Sequence, residues 1–159
     1  MTEPLALYFH DHLAGAAFAT DVVESLGKKH SGKPLGKFAA ELLVEIETDR
    51  ETLLTLAERL SITSSPLKDL SAWLGEKVSR IKLSSQEADS FGTFEALEIL
   101  QVGIHGKWAL WHALNVVALI DVRLQGIDFA QLAGRAEHQE ALVDQWRLEE
   151  ARTAFPCHP

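Results

Sequence analysis

The sequence predicts an all-α four-helix bundle with one long connection. Along four long segments apolar residues recur at spacings of three and four, the period of a helix with one buried face. Of the 5 prolines and 10 glycines, Pro34, Pro66, Gly32, Gly75 and Gly126 fall between those segments. The outer pairs are separated by short turns and the middle pair by about 30 residues, the layout of a bundle with one crossover. At 159 residues the chain suits a single domain over its whole length.

The first helix is expected over residues 4–27. Pro4 suits a first turn, Leu5, Tyr8, Phe9, His12, Ala16, Ala19, Val23 and Leu26 form the stripe, and Gly27 with Lys28 and Lys29 closes it. After the polar link Ser31–Pro34, the stripe Leu35, Phe38, Leu42, Ile46, Leu53, Leu56 and Leu60 predicts a second helix over 35–60. Ser65 and Pro66 open a short amphipathic helix inside the crossover, marked by Leu67, Leu70, Trp73, Leu74 and Ile81. A third long helix is expected over 90–124. Between Ile99 and Ile120 its only permanently charged side chain is Lys107, so it reads as apolar all round and buried by neighbours on several sides. Gly126 and Asp128 restart the chain, and Phe129, Leu132, Ala136, Val143 and Trp146 carry the last helix to about Phe155.

Composition narrows the partners. Apolar residues at 47% and charged residues at 24% describe a chain able to bury a core. A net charge of −8 opposes a phosphate-binding surface, so no nucleic-acid partner is expected. Gln101, His105, Lys107, His112 and Asn115 within the apolar helix would be costly in hydrocarbon, so no membrane span is expected. The single cysteine, Cys157, and a start without a basic region before an apolar one make the cytoplasm the expected location. No Gly-rich phosphate loop occurs, no Ser–His–Asp order has a strand–turn–helix context, and no catalytic residue is assigned. Cys157 beside His158 lies in a tail without fixed partners.

The informative residues are polar ones on faces that should be apolar, since a buried polar group must find a partner. His12 falls inside the first stripe and His10 outside it. Glu45 and Asp49, one turn apart, fall on the apolar side of the second helix. Glu98, His105 and His112 lie at intervals of seven along one line of the third, flanked by Gln101 and Asn115. Gln139 lies on the core face of the last helix with Arg135 and Glu150 on adjoining turns, and His138 faces solvent.

This combination of a long crossover and inward carboxylates and imidazoles resembles the ferritin-like superfamily. The resemblance is architectural and covers nearly the whole chain. It implies a di-metal site built from a Glu on each of two helices and a Glu-x-x-His pair on each of the others. Glu45 would stand for the carboxylate of the second helix and Glu98 for that of the third. His12 occupies the position of a first-helix Glu, and Gln139 that of the last carboxylate. No Glu-x-x-His occurs, so the resemblance implies a divergent branch, not an iron-storage cage.

Two readings stay open. In the first, His12, Glu45, Asp49, Glu98 and His105 converge on Fe, Mn or Zn, with the histidines as terminal ligands and Asp49 bridging or supporting them. In the second, the same residues are a metal-free hydrogen-bond and ion-pair network, and the protein is a non-enzymatic binding or assembly module. A small-molecule pocket lined by His12, Trp108 and His105, with room left by Gly15, Gly103 and Gly106, lies between these readings, and the small-molecule ligand is not specified. His112 and Asn115 are expected as satisfied core polar groups. A homodimer is compatible with either reading.

Overall fold

The computed structural model describes residues 3–62 and 89–156. They form four long helices, α1 (Glu3–Lys29), α2 (Pro34–Arg59), α3 (Ser90–Val117) and α4 (Phe129–Ala154), with a single 3₁₀ turn at Val122–Leu124. The expected crossover helix and the Cys157–His158 tail lie outside the described residues.

Local chemistry sets the helix starts. Pro34 occupies the first turn of α2, where its missing N–H costs nothing. Asp89 and Asp128 cap α3 and α4, their carboxylates accepting from Gly92 N at 2.8 Å and Gln131 N at 2.9 Å. The α1–α2 hairpin closes tightly. Gly32 turns the chain at φ +76°, and Gly36 lets α2 approach the end of α1 so closely that a Cβ there would lie 2.1 Å from the His30 carbonyl oxygen.

Two helix pairs, α1 with α2 and α3 with α4, pack together and are joined mainly through α1 against α3. At the top of the bundle the end of α1 meets the start of α3, where His30 Nε2 lies 3.1 Å from Thr93 Oγ1 and Lys29 Nζ donates to the Asp89 carbonyl at 3.1 Å. The end of α4 is at the same level, with Phe155 edge-on to Phe91 and Phe94. The directions are therefore up, down, down, up. Helix α2 ends at one end of the bundle and α3 begins at the other, about 40 Å away at 1.5 Å per residue. One long connection is thus a requirement of the topology.

The core is one cluster drawn from all four helices, including Phe9 and Val23 of α1, Ile46 and Leu56 of α2, Leu100 and Trp111 of α3, and Ala136 and Val143 of α4. Each large apolar side chain buried in it contributes roughly 1.5–3 kcal/mol.

Helix α3 departs from expectation in two ways. It stops at Val117, and the chain resumes as the short turn whose Leu124 is fully buried. It is also not buried all round, because it packs mainly against α4 and α1 and meets α2 through Lys107 and Asp49. Val102 and Val116 are 69% and 66% exposed, His112 and Asn115 face solvent instead of serving as core polar groups, and Leu119 and Ile120 beyond the helix are more exposed still. The apolar composition of α3 therefore covers an outer face as well as an inner one. No described helix is long and apolar enough to cross a membrane.

Candidate functional site: a buried charge network beside a cavity

Halfway along the bundle, α2, α3 and α4 bring one anion and two cations together. Asp49 is 2% exposed, and both of its carboxylate oxygens are engaged: Lys107 Nζ donates to Oδ2 at 2.5 Å and Arg135 Nη2 donates to Oδ1. Lys107 also donates to Gln139 Oε1 at 2.5 Å. Gln139, fully buried, passes the chain of hydrogen bonds on through its Nε2, which donates to Glu45 Oε2 at 2.7 Å.

The identity of Gln139 matters here. Its carbonyl accepts from an ammonium while its amide donates to a carboxylate, and a glutamate could not do both in ionised form. Two carboxylates, Asp49 and Glu45, are matched by two cations, Lys107 and Arg135, so the network is formally neutral. Burial pushes the Lys107 ammonium below the ordinary lysine range, while Asp49 and more weakly Glu45 draw it back and Arg135 lowers it further.

The five residues expected to form a metal set are distributed over three places. Asp49 is the centre of the network and Glu45 its exposed edge. His12 lines a cavity that it shares with Asp49 and Lys107, and its ring stands edge-on to Tyr8 at 4.5 Å between centroids. Burial holds this imidazole below its ordinary range, with Asp11 opposing that shift. His105 is exposed and stacks on Trp108 at 5.2 Å, with Nδ1 lying 3.2 Å from Glu140 Oε2. Glu98, also exposed, accepts from Arg147 Nη1 at 3.2 Å. Among the described residues no three His, Cys, Asp or Glu side chains gather in a way that could hold a metal ion.

The spacing of seven explains part of this outcome. Glu98, His105 and His112 do share a line on α3, but that line is on its outer side. The inner side carries Leu100, Ile104 and Trp111, all buried. Lys107 and Arg135 were the residues missed as partners. A signal for the first was present: one permanent charge in a stretch of apolar residues, on a helix facing an inward aspartate. The second is on the turn next to Gln139.

The cavity lies between α1, α2 and α3 and has a volume of about 60 Å³. Its wall includes His12, Gly15, Ile46, Asp49, Arg50, Gly103, Lys107 and Trp111. Of the expected pocket, His12, Gly15 and Gly103 line this cavity, whereas Trp108, His105 and Gly106 do not, and Trp111 stands in its wall instead. Trp108 and His105 line a separate, open groove with Glu137, Glu140 and Asp144, because they project toward α4 and not toward α1. Three buried nitrogens near the network, Arg50 Nε, Trp111 Nε1 and Arg135 Nε, have no hydrogen-bond acceptor among the described residues.

Comparisons of the chain with family models, curated proteins and solved structures find no match. The described residues form an all-helical bundle of four long helices with a salt-bridged core built on Asp49.

Proposed function

We propose that this protein is a helical binding module whose polar core is the metal-free counterpart of a ferritin-like metal site, and whose ligand enters the cavity beside that core. One observation carries the reading: both oxygens of the buried Asp49 are taken by protein cations, Lys107 and Arg135. In a di-metal bundle the positive charge that balances inward carboxylates comes from the ions. Here side chains supply it, and a metal ion would have to displace an ammonium and a guanidinium to reach the same oxygens. The ferritin-like relationship is supported by the single long connection between parallel α2 and α3, which is a matter of architecture alone.

The test is elemental analysis of the untagged protein after growth in medium supplemented with Fe, Mn and Zn, with His12→Ala in parallel. The reading expects far less than one metal per chain in both. Near-stoichiometric metal in the parent protein, lost in the variant, would restore His12 as a ligand and overturn it.

A further inference from the structure

From the outer line of α3 we infer a self-association surface, on which a second copy of this chain docks antiparallel about a two-fold axis through Ala109. The inference goes beyond the binding-module reading and does not depend on what enters the cavity.

Spacing comes first. Ile99, Val102, Gly106, Ala109, Ala113 and Val116 follow one another at alternating steps of three and four, the period of a seam along which two helices pack. Ile120 continues the series in the turn beyond the helix, where Leu119 N donates to Val116 O and Ile120 N to Val117 O. The line runs across the helix from the buried Leu100, Ile104 and Trp111. From Val102 to Ile120 its members are exposed, apart from the half-buried Gly106. The glycine itself points outward. Nothing in the described chain lies within 4 Å of a Cβ placed at Gly106, so the fold does not require so poor a helix former there. A bare backbone in mid-helix lets another helix approach closely from outside.

The order of sizes selects the occupant. Read from either end the seam runs branched, branched, small, and Ala109 is its middle member. An antiparallel copy crossing there sets Ile99 against the partner's Ile120, Val102 against the partner's Val116 and Gly106 against the partner's Ala113. A two-fold contact demands this kind of self-complementarity, since every pairing occurs twice. Charge agrees. The chain carries −8, yet between Ile99 and Ile120 its only permanent charge is Lys107, turned inward to Asp49 with 16% of its side chain exposed. Two acidic copies can therefore meet along the seam without opposing carboxylates. At the seam's ends the antiparallel sense brings Glu95 and Glu98 to the level of the partner's Asp121 and the partner's Arg123, which form an ion pair, whereas a parallel sense would face each glutamate with its own copy. The seam is about 32 Å long and one helix, about 10 Å, wide. That is less than the ~800 Å² each partner of a standard complex buries, so the dimer is reversible and depends on concentration.

The experiment is sedimentation equilibrium of the full chain from about 1 μM to 1 mM, over which the mass should rise toward that of two chains. Gly106→Leu places its Cβ in open space and improves helix propensity, so it should keep the fold by circular dichroism and weaken dimerisation about tenfold or more. Cross-linking reads the geometry. In a Cys157→Ser background, Ala109→Cys should form a disulfide-linked dimer on oxidation. Val102→Cys and Val116→Cys should each fail to cross-link alone, because like residues would lie about 21 Å apart, and should cross-link when the two are mixed. Cross-linking of Val102→Cys with itself would overturn the antiparallel dimer. So would a dimer that Gly106→Leu leaves intact, since it would lie on another face. A monomer at every concentration would overturn the inference and give the seam to another occupant, residues 63–88 of the same chain or a helix of a different protein.

Discussion

Lys107 Nζ sits 2.5 Å from Asp49 Oδ2 across the α2–α3 interface, and the aspartate is almost wholly removed from water. The stability of the bundle's centre depends on this pair together with Arg135 on the other oxygen. Removing the anion leaves two cations facing each other with little solvent, whereas removing one cation leaves the other in place. Asp49→Ala is therefore expected to cost about 3–5 kcal/mol, and Lys107→Met distinctly less. Urea unfolding followed by circular dichroism measures both, and a Lys107→Met loss equal to that of Asp49→Ala would show that Arg135 gives no compensation.

Gln139 is expected to be intolerant of its nearest relative in shape. Gln139→Glu replaces a donor to Glu45 with a second carboxylate oxygen, turning a hydrogen bond of 2.7 Å into a like-charge contact. A loss of about 2–3 kcal/mol near neutral pH is expected, and it should shrink as the pH is lowered and one carboxylate takes up a proton. A pH-independent loss would indicate a packing defect instead.

Two histidines give the fold an acid-side sensitivity. Burial lowers His12, and burial together with Lys29 and Lys33 lowers His30. Below the ordinary imidazole value near 6.5 the unfolded chain binds protons that the folded chain refuses, so stability falls as the pH drops from about 7 toward 5. Above that range both states are neutral at these sites and the contribution is flat. The double variant His12→Gln, His30→Gln should lose part of this slope, as read from urea midpoints at several pH values.

Two glycines separate close approach from helix propensity. Gly36→Ala places a methyl against the His30 backbone and should destabilise by about 1–3 kcal/mol. Gly134→Ala, exposed on α4 with nothing within 4 Å of the new methyl, should stabilise by up to about 1 kcal/mol. Thermal unfolding of the two variants against the parent gives both signs directly.

The helices were legible in the sequence because period and capping are local. Asp128, Pro34 and the stripe of Leu42, Ile46, Leu53 and Leu56 need no tertiary information, and the starts of α2, α3 and α4 fall within a residue or so of their expected positions. The inward position of Asp49 and Gln139 followed from the same periodicity. What periodicity could not supply was which outward line of α3 stays uncovered. That helix is apolar on several sides, and the choice between the His105–His112 line and the Ile104–Trp111 line depends on where α1 and α4 dock. The pairing of Asp49 was equally non-local. An aspartate on a core face can meet a metal, a lysine or an arginine, and only the register of α3 and α4 against α2 selects Lys107 and Arg135.

Protein cations, Lys107 and Arg135, neutralise the buried carboxylate of Asp49. Whether a metal ion takes any part in this is read from the unfolding midpoint of the protein in chelator and with added Fe(II), Mn(II) or Zn(II), because any ion bound to the native state raises that midpoint by mass action. The midpoint should be the same in all four conditions, both for the parent and for Asp49→Asn. A rise with one metal in the parent that disappears in Asp49→Asn would contradict neutralisation by protein cations alone.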